Sequence, residues 1–590
     1  MNHALQLRAV WVLLLFAVGF TVVSARLIQL QILRHAKYQE EAMRAQCRVI
    51  PVPALRGRIL DCQRRIFAQS VPVVDLYIDG KLATEDPGRL DQVARLLGLP
   101  PAELRARLSP ARRNELLQPE LDPAVADQLR ALNPKYRPLI FTDRIKRVYP
   151  NGWEGSHVIG FTNQVPLQMD DWEKAINTEQ GMLGIEQALD YYLAGRAGER
   201  RVVLDKTGRE IPAYRMSDHQ PQNGCDIVLT IDQVIQHAIE EEADQLMRQY
   251  TPATVSILVL RPATGEVLGL TNRPTFDPGN RRTMSDLASL RNCTLTDIYE
   301  PGSTFKIVTA AAVLSEGVAT LETPIYCENG AFYYAGTTLR DTHENGTLTV
   351  RRALEVSSNI AFAKLGLALG PDKLYRQIRL MGFGERAQET KYALPGEQKG
   401  LLRPTDKWSK ISLTRVPIGY EIGVTNLQMT MAMASVANGG QLVRPLFIKA
   451  IVDANGRVVR EFAPQVVRRV IPADVAAQLR QTLAGVVSDE GTAQGAQVEG
   501  WTVAGKTGTA RKFINGHYEH GAYYSSFIGF VPADQPQFLI SIMVNQPRGQ
   551  VYGGKVAGPA FSSIATKVAQ QLNMIAGGPP RELAKGAVSR

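Results

Sequence analysis

The sequence of 590 residues predicts an α+β protein with three parts: an N-terminal transmembrane helix, an extended mixed module, and a C-terminal domain in which an antiparallel sheet packs with helices. Three observations predict this class. An uncharged apolar run fills residues 9–25. After residue 224 the pattern changes from short mixed segments to longer runs. In that second half, strand-like runs separated by short turns predict hairpins, and apolar segments of ten or more residues predict buried helices.

Composition places the chain among ordinary globular proteins. The net charge is +10, and 45% of the residues are hydrophobic, which excludes wholesale disorder. The basic residues are scattered and form no aromatic-interleaved stripe, so we expect no nucleic-acid partner. The cysteines form no C-x-x-C pair, which argues against a disulfide framework and a zinc site. They are Cys47, Cys62, Cys225, Cys293 and Cys327.

The N-terminal apolar run predicts a membrane anchor over residues 9–33, after a short N-terminus of residues 1–8. The run continues past Arg26 to Leu33, and it reaches the roughly 20 residues that a bilayer core needs if the Arg26 side chain extends to the interface. Two other interpretations stay open. Val23-Ser24-Ala25 resembles a signal-peptide cleavage site, and a buried core helix would have a similar composition.

The flanking charges and the chemistry of the chain favour opposite orientations of this anchor. Arg8 lies before the run, whereas Arg26, Arg34 and Lys37 follow it, and this count places the N-terminus outside the cytoplasm. A large C-terminal domain can cross the membrane despite nearby charge. We expect the N-terminus in the cytoplasm, because the chemistry inferred below requires an extracytoplasmic site.

Residues 34–218 form the predicted extended module. Residues 56–61 are typical of a turn that enters a strand, and residues 147–150 end a strand before an Asn-Gly turn. Residues 103–108 and 123–132 follow short helical patterns. Because the module carries no strong catalytic constellation, a spacer or docking role is the simplest interpretation.

Residues 219–573 form the predicted C-terminal domain, and residues 574–590 a disordered tail. The order of patterns predicts one sheet with a helix-rich lobe. The patterns are a strand, a long helix, a hairpin, an apolar helix, a second hairpin and a closing helix; they cover residues 226–231, 233–247, 256–260 with 267–270, 304–314, 526–531 with 538–544, and 559–572.

Three short motifs follow one another in this domain. Each alone is a weak signal, because a four-residue pattern with two fixed positions arises by chance in a chain of this length. Together and in this order, they indicate a serine nucleophile that a lysine activates. The motifs are Ser303-Thr304-Phe305-Lys306, Ser357-Ser358-Asn359 and Lys506-Thr507-Gly508-Thr509.

Ser303 and Lys306 have the chemistry that nucleophilic catalysis needs. Ser303 opens an apolar helix, whose N-terminus favours developing negative charge. Lys306 lies one turn further on the same face, beside apolar neighbours that disfavour its charged form. A neutral Lys306 amine can remove the proton of Ser303. The simpler alternative is a surface serine cap beside a solvated lysine.

The other two motifs supply the remaining groups of the predicted site. Ser357 and Asn359 lie between two helical patterns, so a loop can project a proton-relaying hydroxyl and a peptide-binding amide into a cleft. We expect no metal and no cofactor. The predicted catalytic residues are Ser303, Lys306, Ser357, Asn359 and Lys506; the predicted substrate-binding residues are Thr507, Gly508 and Thr509.

Three other patterns compete with this interpretation. Lys206-Thr207-Gly208 is a second K-T-G, but it precedes Ser303 and lies in a polar turn. Residues 500–507 match the P-loop pattern G-x-x-x-x-G-K-[ST], so an NTPase is an alternative function. A P-loop follows an apolar strand and opens a helix, and neither pattern is present here. Residues 517–520 contain two histidines but read as a polar loop rather than a metal site.

At these residues the chain resembles the class B penicillin-binding proteins, which are monofunctional peptidoglycan D,D-transpeptidases, and among them the division-type, FtsI-like members. The resemblance covers nearly the whole chain. In the second half it rests on residues 272–274, 277–278, 291–292, 297, 299–304, 419–420, 423–425, 427–428 and 504–512; in the first half it rests on residues 56–61, 149–150, 157–161 and 184–186.

The chain departs from the family pattern at a few positions. The turn that begins at Asp61-Cys62 replaces the usual D-R-x-G, and Glu421 and Asn426 are atypical. These departures leave the motif residues unchanged. They leave open the subfamily and its partners, so an elongation-type enzyme is an alternative to a division-type one.

The resemblance implies a membrane anchor, a pedestal domain over residues 34–218, and a transpeptidase domain of the penicillin-binding and serine β-lactamase-like fold over residues 219–573. Ser303 would attack the penultimate D-Ala of a peptidoglycan stem that ends in D-Ala-D-Ala. Lys506, Thr507 and Thr509 would hold the terminal carboxylate. The backbone N–H groups of Ser303 and Thr509 would form the oxyanion hole.

The resemblance also implies partners and inhibitors. They would be the inner membrane, an FtsW-type glycan polymerase with other division proteins, and β-lactams. The first half shows no glycosyltransferase signature, which argues against a bifunctional enzyme. A β-lactam-hydrolysing or β-lactam-sensing relative would carry the same three motifs, and a catalytically idle scaffold is a further alternative.

Overall fold

The computed structural model describes residues 3–38, 47–132, 137–167, 176–203 and 217–576. The chain divides into two compact units, Met1–Leu55 with Gly195–Gly224, and Arg56–Ala194 with Cys225–Arg590. The second unit contains all three motifs. The predicted disordered tail lies outside the described residues from residue 577 onward.

The described strands are numbered in chain order. They are β1 (Cys47–Val52), β2 (Ile59–Leu60), β3 (Ile66–Ile78), β4 (Glu115–Leu121), β5 (Leu139–Val148), β6 (Thr162–Leu167), β7 (Ile176–Gly181), β8 (Gly198–Val203), β9 (Ser217–His219), β10 (Asp226–Leu229), β11 (Thr254–Leu260), β12 (Val267–Arg273), β13 (Pro324–Tyr326), β14 (Ala331–Tyr334), β15 (Thr337–Arg340), β16 (Thr347–Thr349), β17 (Gln441–Val443), β18 (Ile448–Val452), β19 (Val458–Glu461), β20 (Val466–Arg469), β21 (Ala504–Ile514), β22 (His517–Val531) and β23 (Phe538–Asn545).

The described α-helices are numbered in the same way. They are α1 (His3–Ile28), α2 (Gly80–Ala83), α3 (Pro87–Leu96), α4 (Pro101–Arg107), α5 (Pro123–Leu132), α6 (Ser156–Ile159), α7 (Gly184–Ala188), α8 (Asp190–Leu193), α9 (Gln233–Tyr250), α10 (Cys293–Thr296), α11 (Lys306–Ser315), α12 (Val350–Glu355), α13 (Asn359–Leu369), α14 (Pro371–Leu380), α15 (Ser412–Arg415), α16 (Asn426–Ala437), α17 (Ala473–Gly485), α18 (Gly553–Val556) and α19 (Gly558–Gln571).

The first unit contains the apolar N-terminal helix and a small sheet. Helix α1 continues as a π-helix, and the 28 residues Gln6–Leu33 have a hydropathy of 2.1 in their most apolar window, none of it buried. At about 1.5 Å per residue, this helix exceeds the roughly 30 Å of a bilayer core. It includes the predicted anchor and fits a single membrane span. In the sheet, β8 pairs with β1 and with β9, both antiparallel.

A five-stranded antiparallel sheet, in the order β12-β11-β23-β22-β21, is the centre of the second unit. The structure forms both predicted hairpins in it. Neighbouring residues of a strand face opposite sides. Phe527, whose register partner in β23 is Ile542, contacts Phe561 of α19, whereas Ser541 donates a hydrogen bond to Asn426 of α16. Helices therefore cover both faces of the sheet, and the predicted packing of an antiparallel sheet with helices is confirmed.

A second sheet joins the two halves of this unit. Its order is β19-β18-β10-β2-β3-β4, and β5 also pairs with β3. The pairing of β10 with β2 is parallel, and it places the predicted turn and strand of residues 56–61 beside the start of the C-terminal domain.

Helix α4 begins at Pro101, two residues earlier than the helical pattern predicted, because proline is favoured in the first turn of a helix.

The second unit has two main hydrophobic cores. The larger core continues from the first half, where it includes Ile59 and Val158, through the five-stranded sheet to Phe561. The other core contains side chains of residues 76–141, such as Leu76 and Leu129. The larger core therefore ties part of the extended module to the domain that carries the motifs.

One buried carboxylate holds three separate segments of the first half together. Glu186 accepts hydrogen bonds from Arg56 Nε at 2.6 Å and from Arg147 Nε at 2.8 Å. All three side chains are at least 97% buried. Arg147 also donates to the carbonyl oxygen of Gly57 at 2.8 Å. Arg56 and Glu186 belong to stretches that carry the family resemblance, and their packing gives those two stretches a structural role.

A chain of buried hydrogen bonds crosses the domain. Ser541 Oγ donates to Asn426 Oδ1 at 2.6 Å, and Asn426 Nδ2 donates to Ser256 Oγ at 2.9 Å. Ser256 Oγ lies 2.8 Å from Thr294 Oγ1, which donates to Asn272 Oδ1 at 2.9 Å. Asn426, one of the positions that depart from the expected pattern, thus links β23 to β11 with every polar atom of its side chain satisfied.

The same chain reaches the first half of the protein. Asn272 Nδ2 donates to Asn292 Oδ1 at 3.0 Å, and Asn292 Nδ2 donates to the carbonyl oxygen of His157 at 3.4 Å. The His157 ring lies 2.9 Å from the carbonyl oxygen of Ser289. Burial lowers the pKa of His157 to about 4, so the ring is neutral and donates this hydrogen bond.

We expect the Glu186→Gln variant to lose about 3–5 kcal/mol of stability, because the buried Arg147 guanidinium loses its carboxylate partner and Arg56 keeps only its ion pair with Asp190 at 2.7 Å. The measurement is the midpoint of thermal unfolding of the full chain in detergent. The control is Glu120→Gln, since the Glu120 carboxylate also binds two cations, Arg144 and Lys146, but is 40% exposed. It should cost less than about 1 kcal/mol. Equal shifts for the two variants would contradict the role of Glu186.

Candidate active site

A tight turn presents Ser303 at the start of a buried helix. Residues Gly302–Phe305 form a 3-10 turn that leads directly into α11, which begins at Lys306, two residues later than the predicted start. Gly302 has φ +56, and a Cβ on it would lie 2.9 Å from Ala510 Cβ. Its N–H donates to the carbonyl oxygen of Gly419 at 3.1 Å. Glycine is therefore required at this position both by conformation and by space.

The Lys306 amine lies at the centre of the site and is completely buried. Its Nζ is 3.1 Å from Ser303 Oγ and 2.8 Å from Asn359 Oδ1. It is also 2.6 Å from the carbonyl oxygen and 3.2 Å from the Oγ of Ser357. Burial, together with the charge of Lys506, holds the pKa of Lys306 well below its usual value. A neutral amine at this distance can accept the Ser303 proton.

Ser357 connects the two lysines of the site. Its Oγ accepts from Lys506 Nζ at 2.9 Å, in addition to the 3.2 Å contact with Lys306. Ser357 lies between α12 and α13 and has φ +63, a left-handed conformation that is costly for a residue with a side chain. The next residue, Ser358, caps α13 by accepting from the N–H of Ala361 at 3.1 Å.

Asp341 positions this serine loop, and the motif analysis did not identify it. One carboxylate oxygen accepts from the N–H groups of Asn359 at 2.5 Å and Ile360 at 3.0 Å, and the other accepts from Ser358 Oγ at 2.6 Å. A carboxylate at the N-terminus of α13 is also favoured by the helix dipole. No spacing rule connects Asp341 to a motif 16–18 residues later, so only the tertiary structure reveals it.

The third motif lies inside β21, the edge strand of the five-stranded sheet. Lys506 is fully buried, and burial lowers its pKa to about 7. A Cβ on Gly508 would lie 2.4 Å from Ser526 Oγ and 3.0 Å from Thr304 Cγ2, so only glycine lets the strand pack on the serine turn. An edge strand also leaves alternate backbone groups unpaired and available to a substrate.

The two threonines of this motif have partners outside the sheet. Thr507 Oγ1 lies 2.9 Å from Thr492 Oγ1. Thr509 Oγ1 accepts from the N–H of Gly553 at 3.0 Å. The structure thus joins five of the eight predicted residues, Ser303, Lys306, Ser357, Asn359 and Lys506, by direct contacts, and it places Thr507, Gly508 and Thr509 next to Lys506 on β21.

The structure contradicts the P-loop alternative. Strand β21 begins at Ala504 and continues to Ile514, so Lys506 and Thr507 lie within a strand rather than at the N-terminus of a helix. A phosphate cradle needs the free N–H groups of such a terminus.

The competing Lys206-Thr207-Gly208 lies outside the described residues. Among the described residues no cluster of three or more metal-ligating side chains occurs, and His517 binds Glu519 at 3.0 Å.

Two family models match the chain. One describes a penicillin-binding protein dimerisation domain over residues 51–229, and the other a penicillin binding protein transpeptidase domain over residues 255–566. The three motifs lie within the second model. Together the two models cover most of the chain.

Relatives and a solved structure agree with these models. The chain is 31% identical to the probable peptidoglycan D,D-transpeptidase PenA of Neisseria gonorrhoeae, over 98% of this chain and 95% of PenA. It is 30% identical to the peptidoglycan D,D-transpeptidase FtsI of Escherichia coli, over 95% of this chain and 91% of FtsI. The crystal structure of penicillin binding protein 3 from Mycobacterium tuberculosis with aztreonam superposes with a TM-score of 0.68 at 29% identity, covering 90% of this chain and 99% of that one.

Proposed function

Because the chain belongs to the class B penicillin-binding proteins, with a dimerisation domain and a transpeptidase domain, we propose that it cross-links peptidoglycan stems as a D,D-transpeptidase and is a target of β-lactams. The observation that carries the proposal is the position of the buried Lys306 amine, 3.1 Å from Ser303 Oγ and within hydrogen-bond distance of Ser357 and Asn359. Two motifs that are distant in sequence meet at this nitrogen, and the third joins them through Ser357, whose Oγ accepts from Lys506 Nζ at 2.9 Å.

The first half-reaction is acylation. Ser303 Oγ attacks the carbonyl carbon of the penultimate D-Ala while its proton moves to the neutral Lys306 amine. The backbone N–H groups of Ser303 and Thr509 stabilise the oxyanion. The bond to the terminal D-Ala then breaks, the leaving nitrogen takes a proton through the Ser357 hydroxyl, and D-Ala departs. In the second half-reaction the amine of a neighbouring stem attacks the acyl-enzyme and restores Ser303.

Charge complementarity supports the assignment of the substrate carboxylate to β21. Lys506, Thr507 and Thr509 offer a cation and two hydroxyls at an unpaired strand edge, and Gly508 leaves room for the backbone to approach. A bound carboxylate raises the pKa of Lys506 and keeps it charged. A β-lactam offers a similar pairing of a reactive carbonyl with an anionic group, and the similar structure with aztreonam is a β-lactam complex.

We propose a division role in the cytoplasmic membrane. The N-terminus lies in the cytoplasm, residues 9–33 span the membrane, residues 34–218 form the pedestal, and residues 219–573 act outside the cytoplasm. The candidate partner is an FtsW-type glycan polymerase, which supplies new strands beside the anchor, with other division proteins. The identity with FtsI supports this role, and an elongation-type role is the alternative.

Ser303 should be the residue that a penicillin acylates. We expect mass spectrometry of the treated full-length protein to place one adduct on Ser303, and a fluorescent penicillin to remain bound for many minutes, because a transpeptidase hydrolyses its acyl-enzyme slowly. Lys306→Arg should abolish labelling in a folded protein, since arginine does not supply a neutral amine. An adduct elsewhere contradicts the assignment, and rapid release of the label indicates a β-lactamase.

The two lysines should give a bell-shaped pH profile for the second-order rate constant of acylation. Lys306 must be neutral, so the rate rises as pH increases through its lowered pKa. Lys506 must be charged, and its pKa of about 7 places the alkaline limb near pH 7 in the free protein. Lys506→Arg should lower the rate but move this limb to higher pH, because arginine stays charged.

The control for this profile is Lys512→Arg on the same strand. Lys512 Nζ donates to Asn545 Oδ1 at 2.9 Å and lies outside the proposed machinery, so the alkaline limb should not move. An alkaline limb that Lys506→Arg leaves in place would contradict the proposed role of Lys506.

The membrane anchor should be needed in cells but not for chemistry. A soluble fragment that starts near Leu33 should still react with penicillin, because every motif residue lies beyond residue 218. Exported to the periplasm by a cleavable signal, it should fail to rescue a depletion strain, since the anchor raises the effective concentration at a membrane partner. Rescue by this fragment would show that the segment serves only for delivery.

A further inference from the structure

Glu300 lies immediately before the Pro301-Gly302-Ser303 turn, and its carboxylate joins three separate segments. Oε1 accepts from the backbone N–H of Glu421 at 2.7 Å and from the Tyr518 hydroxyl at 3.2 Å. Oε2 is buried and has no polar partner among the described residues. The proposed reaction as derived above uses none of these groups.

Each of the three segments contributes to the serine site. Residues 300–303 carry the nucleophile. The segment around Glu421 packs directly on the nucleophile turn, because a Cβ on Gly419 would lie 2.1 Å from the Gly302 carbonyl oxygen. Tyr518 belongs to the β21–β22 hairpin, whose first strand carries residues 506–509.

The partner groups of Glu300 are themselves held in place. Glu421 has φ +59, and its own carboxylate is bound by Arg403 at 2.6 Å and by Ser412 at 2.6 Å. The Glu421 carboxylate is therefore occupied by these two partners, and the Glu421 backbone N–H is the group that binds Glu300. The Tyr518 ring packs edge-on against Tyr420 at 5.4 Å between centroids. Both hydrogen bonds to Oε1 thus come from donors with restricted positions.

We propose that Glu300 is a positioning residue for acylation: its Oε1 fixes the spacing between the Ser303 turn and the β21–β22 hairpin, and hence the geometry of the oxyanion hole. The inference rests on the proposed function. Both hydrogen bonds end on Oε1, so the role needs an acceptor at that position and not a negative charge. Burial raises the pKa of Glu300, and a proton on the free Oε2 would leave both contacts intact.

The test is stopped-flow acylation of the full-length protein in detergent with a fluorescent penicillin, which separates the acylation rate constant k2 from the dissociation constant of the initial complex. Glu300→Ala should lower k2 about 10–100-fold with little change in that dissociation constant, since small misplacements of reacting groups cost about this much. Glu300→Gln keeps the Oε1 acceptor and should retain k2 within about 3-fold. Tyr518→Phe should lower k2 about 3–10-fold, and should have little further effect in Glu300→Ala.

The control is Glu519→Ala on the same hairpin, because the Glu519 carboxylate contacts His517 and is 44% exposed. Its k2 should equal that of the wild type. Thermal unfolding midpoints are measured for every variant, and Glu300→Gln and Tyr518→Phe carry the test if Glu300→Ala does not fold.

Three outcomes overturn the inference. The first is an unchanged k2 in Glu300→Ala. The second is a Glu300→Gln variant that is as slow as Glu300→Ala, which would assign the effect to the negative charge. The third is an effect on the dissociation constant alone, which would assign it to binding of the penicillin. Failure of the proposed function is a separate result, because the wild-type protein would then form no acyl-enzyme at all.

Discussion

The burial of the Lys306 amine is the constraint on which the proposed active site depends. Removing a lysine head group from water is costly unless acceptors replace the water. Here the acceptors come from Ser303 and from the loop of Ser357 and Asn359, and the amine in turn determines where those residues must lie. Burial also lowers the pKa of Lys306, so the packing that hides the amine makes it a base.

Each group around this amine is held in place by a different local interaction. Gly302 allows the serine turn to approach Gly419 and Ala510. Asp341 fixes the start of α13, directly after Ser357 and its left-handed conformation. Strand β21 brings Lys506 to the far side of Ser357. Because these interactions involve separate secondary-structure elements, no single local sequence pattern determines the site. The site forms only when the whole domain folds.

The sequence analysis predicted the elements that have a local signal. Apolar runs predicted the anchor and α11, alternating strands with short turns predicted both hairpins, and motif order predicted which residues meet. It could not predict contacts that depend on tertiary packing. Asp341 lies 18 residues before Asn359, and Tyr518 is 218 residues from Glu300, so neither has a periodic relation to its partner. The 3-10 turn before Lys306 was missed because Gly302 and the packing of β21, not helix propensity, determine its shape.

The residues that the sequence analysis singled out as atypical take part in hydrogen bonds and ion pairs of the second unit. Asn426 completes a buried hydrogen-bond chain between β11 and β23, and Glu421 binds Arg403 and Ser412 through its carboxylate. In the turn after Asp61, Arg64 adopts φ +66 and the neighbouring Arg65 binds both Asp61 and Asp232. None of these side chains touches the Lys306 amine. Glu421 contacts the segment that carries Ser303, because its N–H donates to Glu300 at 2.7 Å. The departures from the family pattern therefore leave the groups around the Lys306 amine unchanged.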